Sequence, residues 1–182
     1  MEHFKKIRVS FNVERFLGGN YSMFGVGEKV VYPTHGVGKI EAIEEKEIAG
    51  QKIKCYVLSI VGKDLKIIVP VFNAQRVGLR QIINEEEVEK IFDILRNEIN
   101  NMPPKWNKRY SFNMDKIRTG SIYEIAEVFK NLTRLGRRKE LSFGERKMLD
   151  STKELIVIEI AHSKRIGTAQ AESLINECCC AA

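Results

Sequence analysis

The only tryptophan among the 182 residues lies in a segment whose residue types suit contact with DNA. Two prolines precede Trp106, and three cations surround it, namely Lys105, Lys108 and Arg109. An indole ring can act as an apolar wedge in the minor groove while neighbouring lysines and arginines bind phosphates. A tryptophan can equally fill the core between helices. The residue types alone leave both interpretations open.

No pattern typical of catalysis accompanies this segment. The three histidines, His3, His35 and His162, have no partner at a spacing that marks a metal site or an activated nucleophile. The sequence has no phosphate-binding loop and no nucleophile elbow. A nuclease would need a cluster of acidic metal ligands, which is also missing from the pattern. We therefore expect a protein that is not an enzyme and that uses no cofactor and no metal.

Three consecutive cysteines, Cys178, Cys179 and Cys180, could suggest a metal site. Neighbouring residues of a helix point in different directions, so these thiols are poorly placed to surround one ion. We interpret them as a frayed helix end. Because Cys55 is the only other cysteine, we expect no disulfide framework and a reducing, cytoplasmic location. The first residues lack the features of a signal peptide, and no apolar stretch is long enough to span a membrane.

The distribution of charge indicates an anionic partner. The net charge is +6, and hydrophobic residues at 43% with charged residues at 30% are typical of a globular protein. Five bases and one acid lie in 102–118, and five bases without an acid lie in 130–139. The preceding segment, 84–101, is acidic. These bases either bind nucleic acid or form a solvated helix face.

The elements that must position these residues change type once along the chain. Residues 23–83 read as short strands, with turns at Gly50 and near Gly62, and their spacing predicts a small, strongly bent barrel. Residues 84–182 have helical periodicity. The order of strands followed by helices predicts an α+β fold in two domains, with the boundary near 81–84.

Capping signals and helix breakers divide the second half into helices. Asn84 is a plausible N-cap for a helix that carries an apolar stripe reaching Ile99 and that ends at the two prolines. A short helix is predicted over 113–119, closed by Gly120. Two capping boxes and one last helix start follow: Ser121-x-x-Glu124, Ser142-x-x-Glu145 and a helix from about Thr168.

Residues 1–22 form an extension that has no clear period and is expected to be disordered. The Leu17-Gly18-Gly19 run can be encoded by a ribosome-binding sequence a few codons before Met23. We therefore expect Met23 to be the start of the native protein.

Several segments resemble the CarD family of bacterial transcription regulators. Residues 23–38 are similar to the opening of that family and of the polymerase-binding module in transcription-repair coupling factors, and 68–80 are similar to the end of the same module. Residues 106–110 and 141–149 resemble the helical domain of the family. The coupling factors share only the first half, so the helical half makes the match specific.

The resemblance implies a Tudor-like or SH3-like barrel that binds the β subunit of RNA polymerase. It also implies a helical domain that binds promoter DNA at the upstream edge of the melted bubble and stabilises the open complex, with little sequence specificity. The family's wedge tryptophan corresponds to Trp106, and its basic DNA contacts fall at Lys108, Arg109 and Arg146, to which the residue pattern adds Lys105. We expect a monomer without membrane contact.

One position departs from the family pattern. Family members can carry a basic residue for polymerase docking at the position of Ile68, and here Lys66 or Lys46 is the candidate substitute. An alternative function is a ribosome- or RNA-associated binding module with the same kind of barrel and basic helices.

Overall fold

The computed structural model describes residues 24–48, 50–97 and 102–180. The extension 1–22, the expected start Met23 and the stripe residue Ile99 lie outside these ranges. Five strands come first and five helices follow, so the predicted α+β fold is confirmed. Among the described residues, no helix combines the length and the apolar character that a membrane crossing requires.

The strands form one antiparallel sheet in the order β4-β3-β2-β1-β5. A register shift between Ile40 and Ala42 interrupts the long β2–β3 ladder, and such a bulge bends a sheet around its core. Alternate side chains point inward, among them Leu58 and Val69. The strands are β1 (Lys29–Tyr32), β2 (Gly36–Ile48), β3 (Gln51–Ile60), β4 (Lys66–Pro70) and β5 (Arg80–Gln81).

The helices pack around a second core. The predicted N-cap at Asn84 is present and is part of a capping box, because its side chain accepts from the Glu87 N–H and the Glu87 side chain accepts from the Asn84 N–H. The first helix buries the four described residues of the predicted apolar stripe, Val88, Ile91, Phe92 and Leu95, and ends at Arg96, before the prolines. The helices are α1 (Glu85–Arg96), α2 (Trp106–Arg118), α3 (Ile122–Arg138), α4 (Phe143–Lys164) and α5 (Thr168–Cys180).

Two predicted features of the helical half are wrong. Helix α2 begins at Trp106 rather than at Asn113, so the tryptophan starts a helix instead of lying in a loop. Ser121 makes no capping hydrogen bond with its side chain. The reason is competition, because Glu124 binds Lys116 at 2.6 Å and the Ser121 N–H is taken by the hydroxyl of Thr119. Gly120 does close α2, with φ at 72°.

The cysteines at the end of α5 are not a frayed end. Cys178 and Cys179 are buried and pack into the same core as Ile91 and Leu95 of α1. Burial raises the pKa of the Cys178 thiol, which keeps it protonated and poorly reactive. The interpretation as a frayed helix end is therefore wrong for Cys178 and Cys179. Within the described part of the chain, no group of three or more His, Cys, Asp or Glu side chains is placed to hold a metal ion.

Candidate nucleic-acid interface

Trp106 lies on the surface at the first turn of α2. Its side chain is 47% exposed, so the interpretation as a core tryptophan is wrong. The indole is nevertheless held in place, because its Nε1–H donates a hydrogen bond of 2.8 Å to the hydroxyl oxygen of Ser142. The Tyr110 ring lies beside it with 5.8 Å between ring centroids. The indole ring is therefore held at its Nε1 edge, while part of the ring stays open to solvent.

Ser142 belongs to the capping box of α4, which was predicted and is present. The hydroxyl of Ser142 donates to Glu145 Oε2 at 2.9 Å and accepts from the Glu145 N–H at 3.3 Å. The Ser142 N–H donates to the same carboxylate at 3.0 Å. The residue that anchors the indole is therefore fixed by the start of a 22-residue helix.

Arg109 is placed differently from the prediction of a DNA contact, because its side chain is buried and only 3% of the residue is exposed. Its Nε donates to Glu145 Oε1 at 2.7 Å, and its Nη1 donates to the carbonyls of Pro103 and Pro104 at 3.3 and 3.0 Å. Arg109 therefore ties the proline segment to the start of α4. A guanidinium enclosed in this way is not presented to a phosphate.

The Glu145 carboxylate stays charged inside this network. Burial favours its neutral form, but hydrogen bonds from the Ser142 N–H and from Arg109 outweigh burial and hold the pKa of this carboxyl below its usual value. The ion pair of Arg109 and Glu145 is thus a permanent part of the support beneath Trp106.

The other predicted cations are exposed. Lys105 and Lys108 flank Trp106 in the chain, and Arg146 lies in the first turns of α4. A shallow groove of about 400 Å³ runs beside the indole, with Lys139 and Arg146 among its lining residues. Arg146 has an exposed partner, Glu140, at 3.3 Å, and exposed pairs of this kind contribute only about 0–1 kcal/mol. A phosphate can therefore replace Glu140 at little cost.

Phe143 is a second exposed aromatic residue that the sequence prediction missed. It is the first residue of α4, next to Ser142, and it is 72% exposed. The Lys147 ammonium lies 5.5 Å from its ring centroid. The sequence did contain a sign that Phe143 is exposed, because the capping box puts this residue at the start of the helix and outside its apolar stripe. We call this region the tryptophan surface, made of Trp106, Phe143, Lys105, Lys108, Lys139, Arg146 and Lys147.

The basic stretch 130–139 is only partly a surface. Lys130 is 1% exposed, and burial lowers the pKa of its ammonium. Arg134 donates to the carbonyls of Leu95 and Arg96 at the end of α1, where a cation suits the helix dipole. Counting the bases in the sequence therefore overestimated the number of surface cations that can bind DNA. Arg137, Arg138 and Lys139 remain exposed.

The sheet carries the predicted polymerase-binding residues on its outer face. Ile68 is 41% exposed on the edge strand β4, opposite Val57 of β3. Lys66 pairs with Glu41 at 2.9 Å, and Lys46 pairs with Glu44 at 2.5 Å. Both lysines are paired with glutamates on the surface. At the position where family members can carry a basic residue, this chain exposes the apolar side chain of Ile68.

Comparison with known proteins agrees with this division into a strand half and a helical half. Residues 24–83 match the family model for the CarD-like/TRCF RID domain, and residues 90–176 match the CarD C-terminal domain. The RID domain is Tudor-like, so the Tudor-like fold predicted for the first half is confirmed.

A relative is similar over most of the length of both chains. The Bacillus subtilis (strain 168) protein named "Putative transcription factor YdeB" is 35% identical over 151 residues, which are 83% of this chain and 99% of that protein. Both domain models and this relative agree with the resemblance seen in the sequence. The chain therefore belongs to the CarD family and is a transcription regulator.

Proposed function

We propose that this regulator binds the β subunit of RNA polymerase through residues 23–83 and the upstream edge of the promoter bubble through residues 84–182, and that it thereby stabilises the open complex. The observation that carries the proposal is the half-exposed Trp106 indole, anchored by Ser142 and bordered by cations. We propose a monomer that acts in the bacterial cytoplasm without a cofactor.

The tryptophan surface suits distorted DNA better than relaxed duplex. Inserting an aromatic ring between base steps requires unstacking, which is already partly done at the edge of a melted bubble. The cations around the ring bind phosphates on either side without reading sequence. A ligand shifts the equilibrium between closed and open DNA by its differential affinity for the two, and Trp106 with Phe143 supplies that difference.

The strand half determines where on the promoter the protein binds, rather than how tightly it binds DNA. Strand β4 is at the sheet edge, with Ile68 exposed on its outer face, and an edge strand can pair with a strand of another protein. Docking there on polymerase raises the local concentration of the helical half at the promoter. Weak DNA binding by the helical half is then sufficient, and polymerase selects the position.

The decisive experiment compares the native protein with Trp106→Ala in promoter complexes. We expect the stabilisation that the factor adds to the open complex to fall roughly five- to a hundred-fold, as a lost stacking contact of about 1–3 kcal/mol requires. Unfolding by urea should be almost unchanged, since the side chain is half exposed. A variant that still lengthens the open-complex lifetime fully would remove the wedge from the mechanism.

A second experiment tests the partner. Affinity capture with the full chain should retain polymerase subunits, and residues 23–83, if folded alone, should retain polymerase without DNA binding. Capture of ribosomal proteins instead would favour the alternative function as a ribosome- or RNA-associated module. Ile68→Asp tests the polymerase contact of β4 directly, because it puts a charge on the outer face of that strand without touching the core.

A further inference from the structure

One partly buried ion pair connects the strand half to the helical half. The two nitrogens Nη1 and Nη2 of Arg80, in β5, bind the two carboxylate oxygens of Glu159, in α4, at 2.5 and 3.0 Å. Glu159 is almost fully buried, and its Oε1 also accepts from the Ile83 N–H at 3.4 Å. Such two-point contact between an arginine and a carboxylate fixes direction as well as distance.

A proline packed between two glycines lies next to this pair. A Cβ atom on Gly120 of the helical half would be 2.8 Å from Pro33, and a Cβ atom on Gly78 of the strand half would be 2.9 Å from it. Both glycines have positive φ, so larger residues are disfavoured by conformation and by space. Arg80 also donates from Nη2 to the Gly120 carbonyl at 3.5 Å. The two halves therefore meet at close range where Gly120 packs against Pro33, and Gly78 of the strand half supports the other side of that proline.

Further contacts between the halves lie along α4. Leu155 packs against the start of β2, where its Cδ2 lies 3.3 Å from the position of a Cβ atom on Gly36. Glu159 and His162 follow on the same helix face, and the His162 ring nitrogen Nδ1 lies 3.2 Å from the Lys29 ammonium. This face combines apolar and charged contacts with the sheet.

The other end of α4 holds the tryptophan surface. Ser142 caps the helix and anchors Trp106, and Glu145 pairs with Arg109. From Ser142 to Glu159 the helix spans about 25 Å at 1.5 Å per residue. One rigid element therefore connects the ion pair at the sheet to the indole at the DNA-facing end.

We propose that Arg80 and Glu159 are positioning residues that lock the sheet onto α4 in one orientation, so that a polymerase-bound sheet holds Trp106 at one place on the promoter. The proposal that this orientation serves promoter opening depends on the function proposed above. The proposal that Arg80 and Glu159 fix the orientation of the sheet on α4 does not depend on that function. Domains joined by a short segment ordinarily move relative to each other unless their interface restrains them.

Residual dipolar couplings of the full chain in one alignment medium test the lock without polymerase or DNA. In the native protein, couplings from 24–81 and from 84–180 should fit a single alignment tensor. The double variant R80Q/E159Q removes both charges together, so no unpaired charge stays buried and the fold is retained. In this variant the two halves should require two tensors of different magnitude.

Two further variants sharpen the test. K63Q/E154Q removes the exposed ion pair at the same interface, 2.9 Å long in the native protein, with the same change in charge. It should keep a single tensor, because exposed pairs contribute little. Gly120→Ala separates the halves sterically at Pro33 and should resemble R80Q/E159Q. Two tensors in the native protein, or a single tensor in R80Q/E159Q, would overturn the lock.

Promoter assays test the use of the lock. R80Q/E159Q should bind polymerase and free DNA as the native protein does, while the stabilisation it adds to the open complex falls about tenfold as the effective concentration of Trp106 at the bubble drops. Full stabilisation by a variant with two tensors would show that orientation is irrelevant and overturn the positioning role. A native protein that fails to stabilise the open complex refutes the proposed function instead, and the dipolar couplings still decide on the lock.

Discussion

The Nε1–H of Trp106 donates to the hydroxyl of Ser142 across 2.8 Å, which joins the start of α2 to the start of α4. An exposed side chain normally loses rotamer freedom when it binds, and that loss reduces affinity. Here the indole is already restrained, so a larger part of its stacking energy is available for DNA. The restraint also makes the side chain sensitive to changes at Ser142.

The variant Ser142→Ala should loosen the indole before any DNA is present. Because Trp106 is the only tryptophan, intrinsic fluorescence reports on this side chain alone. We expect lower fluorescence anisotropy in the variant and a free energy of unfolding reduced by about 1 kcal/mol through loss of the cap. Ser142→Thr, which keeps a hydroxyl that can accept from the indole and donate to Glu145 and is a good cap, should restore both values.

A matched control separates the loss of a cap from the loss of the anchor. Asn84→Ala removes the capping box of α1, which is far along the chain from the indole, and should cost a similar free energy of unfolding. Its anisotropy should equal that of the native protein. If both variants lower the anisotropy equally, the Ser142 contact does not restrain the indole.

Arg109 and Lys108 are neighbours in sequence and should behave in opposite ways. Arg109→Ala leaves the Glu145 carboxylate buried without its partner and should reduce the free energy of unfolding by about 3–5 kcal/mol. Lys108→Ala should change stability by less than about 0.5 kcal/mol, as is usual for exposed sites. Urea unfolding measures both.

The same pair of variants tests the DNA contact. Lys108→Ala should weaken DNA binding on all sequences and reduce the slope of log affinity against log salt by about 1. A stable Arg109→Ala protein with a reduced salt slope would restore Arg109 as the surface contact, and destabilisation by Lys108→Ala would contradict the exposed position of Lys108.

Phe143 should act as a second stacking residue. We expect Phe143→Ala to reduce binding to a fork junction, a duplex that ends in unpaired strands, by up to about tenfold while binding to fully paired duplex changes less. Thermal unfolding should be unaffected, since the ring is largely exposed. Val26→Ala, which truncates a similarly exposed apolar residue in the strand half, is the control. Equal losses on both DNAs would indicate that Phe143 does not discriminate open from closed DNA.

Stability should fall in mild acid because of His162. Burial, and then the nearby Lys29 ammonium, lower the pKa of this imidazole in the folded protein. The unfolded chain therefore takes up a proton near its ordinary pKa of about 6.5, where the folded protein does not, and the free energy of unfolding decreases as the pH falls below that value. Urea unfolding at a pH of about 7.5 and about 5.5 measures the effect. The drop should be smaller in His162→Gln and retained in His35→Gln.

Local patterns predicted those parts of the fold that local interactions determine. The α1 stripe and its cap at Asn84 depend on residues within a few turns, as do the cap at Ser142 and the closing Gly120. The resemblance to a family then supplied the Tudor-like fold, which alternation alone could not distinguish from other small barrels.

The predictions were wrong where residues far apart in the sequence bind the same charged or hydrogen-bonding groups. Arg109 looked like a surface cation because its buried partner, Glu145, is far away in the sequence. The start of α2 was missed for the same reason, since Arg109 stabilises it through the carbonyls of Pro103 and Pro104. At Ser121 the capping box failed because Lys116 attracts the glutamate. Sequence patterns do not show which of several possible partners is nearest in space.

The edge strand β4 has a further consequence, for self-association. It has only five residues, a lysine stands at its start, and Pro70 at its end has no N–H to offer to an added strand. Short length, charge and proline are the features by which edge strands avoid pairing with copies of themselves. Strand β4 is thereby protected from joining sheets of neighbouring copies, while its outer face with the exposed Ile68 stays available to a partner protein.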